Sequence, residues 1–532
     1  MKKQVIVMGA GIGGLSAAGQ LAHAGYEVTV VEKHSQAGGK VIQFKKGKFV
    51  FDGGASFITL TEVYRDWFTS VGKDIANYIG LEKMKDTTTF YFHNGKAFTL
   101  STNETRVRAE IAEKFPGNEE GFDRFMKIAA DCYQLLYHGP RYARRNYHKL
   151  GGFDFAFNPA APFHALKLQL GKTWKQIVDE CFTAPELRAV FSYQATFLGM
   201  QPSKAMGTYC FFPWAEIHDG MFQVEGGVYG IIKGFEKACL ELGVKFVYEA
   251  EITELLNEGD RMTGVKICNS APHNTGTAPH SGSRSSSTEG SSVRTIPATT
   301  LKADIFVSNI DGAWFYSNLM PPEKNTHYTP EKLKQMKHTN SYFTINVGLK
   351  KPVKNYSHHT FFVARKWEQY FEKILQPGKV PGLSFDDTCY YFLQKSATHP
   401  WMAPKGKTSA FILVPVCGYD PDMNWNEYQD TFKNFIYDMM EHRDGIPIRD
   451  LIEEEEVYSP ARWGQEFNLW ENVILSFSLN FFQVNGFRMP NKSREFKNLY
   501  FSGSSTIPGP GLPPCITSGE LVRERIEEDD SV

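Results

Sequence analysis

The 532-residue sequence predicts an α/β fold with a mixed α+β part attached, and three observations predict it. A short apolar run, Gln4-Val5-Ile6-Val7-Met8, is followed at once by the turn Gly9-Ala10-Gly11-Ile12-Gly13-Gly14 and by helix formers at helical spacing over 15–24. A second apolar strand, Thr29-Val30-Val31, ends in an acid, Glu32. The chain is also too long for one simple core and divides most naturally into two or three co-folded lobes.

The first strand has the composition of a central parallel strand, buried on both faces. In the turn that follows, Gly9 permits the sharp change of direction, Gly11 lets backbone approach a pyrophosphate, and Gly14 lets the helix sit close on the strand. Backbone amides of the same turn, with Ala10 and Gly13 among its residues, then face the anion at the helix start. Glu32 stands where a carboxylate accepts from a ribose 2′-hydroxyl, which argues against a 2′-phosphate and hence against NADP. NAD and FAD both remain open on these residues alone.

Composition narrows the partners. Charged residues are 22% and the formal net charge is -1, so no global field steers the chain to nucleic acid. The eight cysteines, from Cys132 to Cys515, form no C-x-x-C pair and no metal-ligand spacing, so we read them as buried thiols of a reducing compartment. No metal site is expected. The first residues read as a strand, not as a charged segment with a cleavable apolar stretch, so no secretory leader is expected. No run is long and apolar enough for a membrane crossing.

Farther along, Val224-Glu225-Gly226-Gly227 leads into a helix carrying Ile231, Phe235, Ala238 and Leu242 on one face, followed by strands at 244–247, 252–256 and 262–267. The segment 269–300 is rich in Ser, Thr, Gly, Pro and His and cannot bury enough surface to offset its ordering entropy. It is expected to be a mobile hairpin insertion interrupting a strand pair that resumes over 303–309, with His273 and His280 as polar filler.

After Glu32 come Gly38-Gly39-Lys40 and then Phe51-Asp52-Gly53-Gly54-Ala55-Ser56. Here the sequence resembles the flavin-containing family that includes amine oxidases, carotenoid desaturases and Rab escort proteins. In that family a glycine doublet followed by Arg or Lys lies beside the FAD diphosphate, and a later D-x-G-A segment returns to the cofactor. Gly38, Gly39, Lys40, Asp52, Gly54 and Ala55 match that pattern. The resemblance implies FAD as cofactor, a two-dinucleotide-binding (Rossmann-like) FAD fold with a mixed α+β substrate domain, and backbone near Ile252 against the adenine. It also implies a discontinuous FAD-binding domain (1–97, 214–310 and 481–532) and a substrate-binding, membrane-facing domain (98–213 and 311–480).

Three further stretches look like bacterial-type phytoene desaturases: "FSYQATFLGMQPSKAMGTYCFFPWAEIHDGMFQVEGG" (191–227), "QKSATHPWMAPKGKTSAFILVPV" (394–416) and "NLYFSGSSTIPGPGLPPCITSGELVRERI" (498–526). In the last, a strand over 499–501 runs into Gly503, and Pro508-Gly509-Pro510-Gly511 precedes an amphipathic helix starting near Pro513. The resemblance aims that helix start at the flavin ring, which adds Gly503 and Gly511 to the candidates. One departure stands out: many relatives have Thr-His-Pro where this chain reads Thr506-Ile507-Pro508, so no role of that His transfers.

What the resemblance implies is stepwise dehydrogenation of phytoene or a similar isoprenoid hydrocarbon. No catalytic residue follows from it. Glu216 and His218 are candidates for accepting a proton or stabilising a cation, with surface or capping roles as the alternative. The competing functions are thirty-carbon desaturation, terminal oxidation, saturation or isomerisation, oxidation of an amine, and prenyl binding without flavin chemistry.

At about 0.8 kcal/mol per methylene-sized unit, a forty-carbon hydrocarbon costs on the order of 30 kcal/mol to bring through water, so it must pass directly from bilayer to protein. A peripheral position on the cytoplasmic side of a membrane is therefore expected. The candidate contact is the basic stretch 139–149 with Phe153, Phe155, Phe157 and Phe163; a solvated helix followed by core aromatics explains the same letters. Oligomeric state is left open.

Overall fold

The computed structural model describes the chain except Met1, 139–160, 271–298, Asn355, Leu375, 485–486 and Val532. It is an α/β protein with a Rossmann-like dinucleotide-binding domain near its start and a mixed α+β body. Strand β1 (Gln4–Met8), helix α1 (Ile12–His23) and strand β2 (Glu27–Val31) form the first βαβ unit. The strands are parallel, with Val5 opposite Val28 and Met8 opposite Val31.

A five-stranded parallel sheet grows from this unit in the order Leu499–Phe501, Ile305–Ser308, β1, β2, Lys245–Val247. Chain order therefore reverses direction on either side of β1, and the crevice beyond its carboxyl end is where open α/β sheets take their ligands. Helix α1 is pressed between this sheet and the last helix, Leu512–Asp530. Ser16 Oγ donates to the Ile516 carbonyl at 2.7 Å, and a side chain at Gly519 would collide with the backbone of Ala17.

A three-stranded antiparallel sheet, Ala250–Glu258, Arg261–Asn269 and Thr299–Lys302, covers the end of β2. The expected insertion corrects here. Its strand pair resumes at Thr299, with Gly264 opposite Lys302, whereas Ile305–Ser308 leaves the hairpin and lies beside β1. All four residues of that run are buried on both faces, as a central parallel strand requires. The rest of the insertion, with His273 and His280, lies outside the described residues.

The body is built on a seven-stranded mixed sheet: Ile452–Tyr458, Ser341–Leu349, Thr408–Val416, Tyr390–Gln394, His359–Val363, Asp86–Phe92, Ala97–Ser101. Alternation sorts its faces. Phe343 packs on Trp425 and Phe432 of the covering helix Trp425–His442, while Tyr342 and Thr344 point the other way, toward the cavity described below. The expected boundary at 97/98 falls inside the last strand of this sheet, whose partner Asp86–Phe92 already belongs to the body. Seven cysteines are buried and Cys268 is half-buried, all as free thiols. Among the described residues no helix is long and apolar enough to cross a membrane.

Candidate functional site

A large cavity opens at the carboxyl ends of the parallel strands and runs on beneath the seven-stranded sheet. Its volume is about 390 Å³. Of the residues singled out in the sequence, Gly9, Gly11, Gly13, Glu32, Gly38, Gly39, Lys40, Gly54, Ala55, Ile252, Gly503 and Gly511 line it. Ala10 and Gly14 stand just behind that wall.

The glycine turn is held from behind by Glu32. Its carboxylate accepts from the Ala10 amide at 2.7 Å and from the His34 amide at 2.9 Å, and the Gly9 amide donates to the Val31 carbonyl at 2.8 Å. Burial raises the Glu32 carboxyl above its ordinary range, against which these amides work. A carboxylate has roughly four lone-pair sites, more than these two amides use, so it can still accept from a ligand hydroxyl. Gly9 takes a φ of 100°, which favours glycine.

The other glycines make room. A Cβ on Gly11 would meet Asn309 Oδ1 at 2.5 Å, and one on Gly13 would meet the Gly503 nitrogen at 2.8 Å. Gly39 lies so close to Gly11 that its Cβ would stand 3.3 Å from the Gly11 Cα. The three segments thus converge on one backbone-walled cradle, whose donor set and shape fit a dinucleotide diphosphate at the start of α1. Sequence reasoning missed Asn309 as its hub. The side chain sits at the end of the strand Ile305–Ser308 and donates to the Ser502 carbonyl at 3.1 Å, and only the strand end, not the contact, was visible in the sequence.

Lys40 is directed across the cavity wall, donating to the Ile474 carbonyl at 2.6 Å and to Ser504 Oγ at 3.3 Å. Burial lowers its pKa, opposed by Asp311. Asp52, in contrast, is not part of the wall. It accepts from Gln43 at 2.8 Å and from the Val228 amide at 2.9 Å, so it ties the hairpin 42–53 to the glycine turn at 226–227. Lys395 binds the Asp52 carbonyl and lies 4.0 Å from its carboxylate, itself almost wholly buried.

Burial holds Lys395 down to about 8. Between that value and the unfolded 10.5 the unfolded chain binds the extra proton, so this residue makes stability rise with pH across the window and costs stability below it. Lys395→Met should remove that rise. The stability difference between wild type and variant is expected to change by on the order of 1–3 kcal/mol between about pH 7 and pH 10, read from urea denaturation at each pH.

Beneath the seven-stranded sheet the wall becomes aromatic, with Phe57, Phe197, Phe212, Phe361, Tyr342 and Tyr391. Phe57 is stacked on His359, with ring centroids 4.6 Å apart, and His359 Nδ1 is 2.5 Å from the Tyr391 hydroxyl. Set into this wall is Glu216, one of the two acid-base candidates. The other, His218, is exposed, stacks on Trp214 and lies away from the cavity, because it projects from the outer side of the helix Phe211–His218. The basic stretch 139–149 with Phe153, Phe155 and Phe157 lies outside the described residues; Phe163 is exposed.

Comparison with known proteins agrees with this geometry. Residues 7–72 match the model of the NAD(P)-binding Rossmann-like domain. Over nearly the whole chain the sequence is similar to enzymes of carotenoid chemistry. These include 4,4'-diapophytoene desaturase (4,4'-diaponeurosporene-forming) of Staphylococcus haemolyticus, 27% identical over 99% of both chains. They also include 4,4'-diapolycopene oxygenase of Methylomonas sp, 27% identical over 99% of this chain and 98% of that one. Phytoene desaturase of Fusarium fujikuroi is 28% identical over 99% and 90%, so the similarity is not specific to bacterial-type proteins.

Among solved structures, an oxidoreductase from Methanosarcina mazei shares the fold with a TM-score of 0.62 at 14% identity, over 98% of this chain and 100% of that one. Putrescine oxidase bound to putrescine gives 0.56 at 12% over all of both chains, and Rab GDI of Plasmodium falciparum 0.51 at 11% over 99% and 98%.

Proposed function

We propose that the chain binds FAD across this cavity and uses it to desaturate a long isoprenoid hydrocarbon, phytoene to more conjugated carotenes being the reading we favour. The observation that carries it is the continuity of one cavity, glycine-walled and acid-bearing at one end and aromatic at the other. The names of the relatives above support the substrate class, and the Rossmann-like turn supports the cofactor.

In this reading Glu32 holds the ribose, Ile252 lies against the adenine, and Gly11, Gly13, Gly38 and Gly39 surround the diphosphate with Ala10 and Gly14 backing the turn. Lys40, Gly54, Ala55, Gly503 and Gly511 border the flavin half. A bound flavin supplies the hydride acceptor. The protein's own part is to position and to dry. The start of the helix Leu512–Asp530 lines the cavity through Leu512, Pro513 and Pro514 and favours negative charge there by about 1 kcal/mol. Phe57, Phe197 and Phe361 exclude water from the reacting carbons.

The discontinuous nucleotide-binding and substrate-side organisation belongs to the same proposal, and so does peripheral attachment to the cytoplasmic face of a membrane, which follows from the cost of moving such a substrate through water. The test is anaerobic incubation of FAD-loaded protein with phytoene in liposomes. Bleaching of the flavin band together with a red-shifted polyene is the expected result, and product analysis separates desaturation from terminal oxidation, saturation and isomerisation. A protein that takes up no FAD favours prenyl binding without flavin chemistry; bleaching by a polar amine but not by phytoene favours amine oxidation.

A further inference from the structure

Four acidic side chains face the cavity among the described residues: Glu32, Glu251, Asp311 and Glu216. The first two stand at the nucleotide end, beside Lys33, and Asp311 is close enough to Lys40 and Arg488 to oppose the fall in pKa that burial imposes on both. Glu216 alone of the four is set among aromatic rings with only neutral partners. Tyr193 donates to its Oε2 at 2.9 Å, Gln194 to the same oxygen at 2.6 Å, and Thr88 to Oε1 at 3.2 Å. Such a carboxylate is expensive to bury without a cation, and it is correspondingly able to stabilise positive charge that develops in the cavity.

We infer that Glu216 is the proton acceptor of the dehydrogenation. The inference rests on the desaturation reading above and assigns the step left open there. A bound flavin would supply the two-electron acceptor for the hydride of one allylic C–H bond. The carbon chain is left cationic, facing the Glu216 carboxylate. The neighbouring C–H bond then gives its proton to a Glu216 oxygen, its electron pair becomes the new C=C, and the proton is lost to water between turnovers.

The alternatives near the site are poorer acceptors. His359 is tied through Nδ1 to Tyr391, and burial pushes its pKa far down. Tyr391 and Tyr193, the titratable groups that act electrostatically with Glu216, are pushed far up and stay neutral. Burial raises the Glu216 carboxyl toward the proton-holding form, while its hydrogen-bond donors pull it back. His218 is on the surface.

The test compares wild type, Glu216→Gln and Tyr193→Phe in anaerobic rapid mixing of FAD-loaded protein with phytoene liposomes. Glu216→Gln should take up FAD normally and lower the rate of flavin bleaching about 100-fold or more, and the acid limb of the wild-type pH profile should vanish with it. Tyr193→Phe, which removes one donor to the charged carboxylate, should move that limb to higher pH. Bleaching by Glu216→Gln within threefold of wild type, with the acid limb intact, overturns the inference. Should Glu216→Gln fail to fold, an acid limb unmoved in Tyr193→Phe overturns it equally. Wild-type protein that holds FAD but is not bleached by phytoene in liposomes overturns the desaturation reading itself, a result read before any variant is made.

Discussion

Gly14→Ala will destabilise the protein by on the order of 3–5 kcal/mol and abolish FAD uptake. A Cβ at this position would come far closer than 3.0 Å to the Gly9 carbonyl oxygen, a distance real Cβ atoms essentially never show. The atom it meets is backbone, so no side-chain rotamer can yield. The collision also pushes α1 away from β1, and relief can come only by moving the turn that carries Gly9, Gly11 and Gly13, three residues of the cavity wall. Thermal melting of the apoprotein and flavin titration by fluorescence quenching read the two effects separately. Gly171→Ala provides the control, because nothing lies within 4 Å of its added carbon and its expected cost is within about 0.5 kcal/mol. Equal behaviour of the two variants would contradict the close-packing account of the turn.

Arg488→Met will produce the second large loss, about 3–5 kcal/mol of stability together with at least tenfold weaker FAD binding. Arg488 is 2% exposed. Its Nε donates to the Thr506 carbonyl at 3.0 Å, Nη1 to those of Phe477 at 3.2 Å and Gln483 at 3.3 Å, and Nη2 to that of Ser504 at 2.6 Å. Among the described residues no carboxylate forms a salt bridge with it. Burial brings its pKa down to about 10, so it remains charged at neutral pH. One side chain therefore fixes the loop that presents Gly503, Ser504 and Gly511 to the cavity. Arg488→Lys keeps the charge but offers three donors on a flexible stem, and an intermediate loss is expected. Urea unfolding followed by tryptophan fluorescence, with flavin titration alongside, measures both; a change within 0.5 kcal/mol for either variant would contradict the assigned role.

Much of the nucleotide end is legible in the sequence because its logic is local. The strand, the turn 9–14, the helix and the acid at 32 lie within one continuous βαβ unit, where each residue's task is set by neighbours a few positions away. The doublet Gly38-Gly39 is readable for the same reason: the Gly38 amide returns to the Ala10 carbonyl at 2.9 Å, a short excursion along the chain. Asp52 marks the limit of such reasoning. Its pattern matched a cofactor-facing segment, yet its side chain is spent on Gln43 and Val228, the second of which is 176 positions away.

By itself the sequence determined the α/β class, the dinucleotide-binding turn and its acid, since these depend on backbone freedom and hydrophobic period along a single stretch. Only the tertiary structure decided that Asn309 is the hub of the cradle, that Arg488 braces the last loop, and that Glu216 enters the cavity while His218, two residues on, does not. The physical reason is that burial, and with it the worth of a charge or a hydrogen bond, is set by which distant segments close over a residue, here the sheet that brings Thr88 and the segment that brings Tyr193 and Gln194 onto one carboxylate.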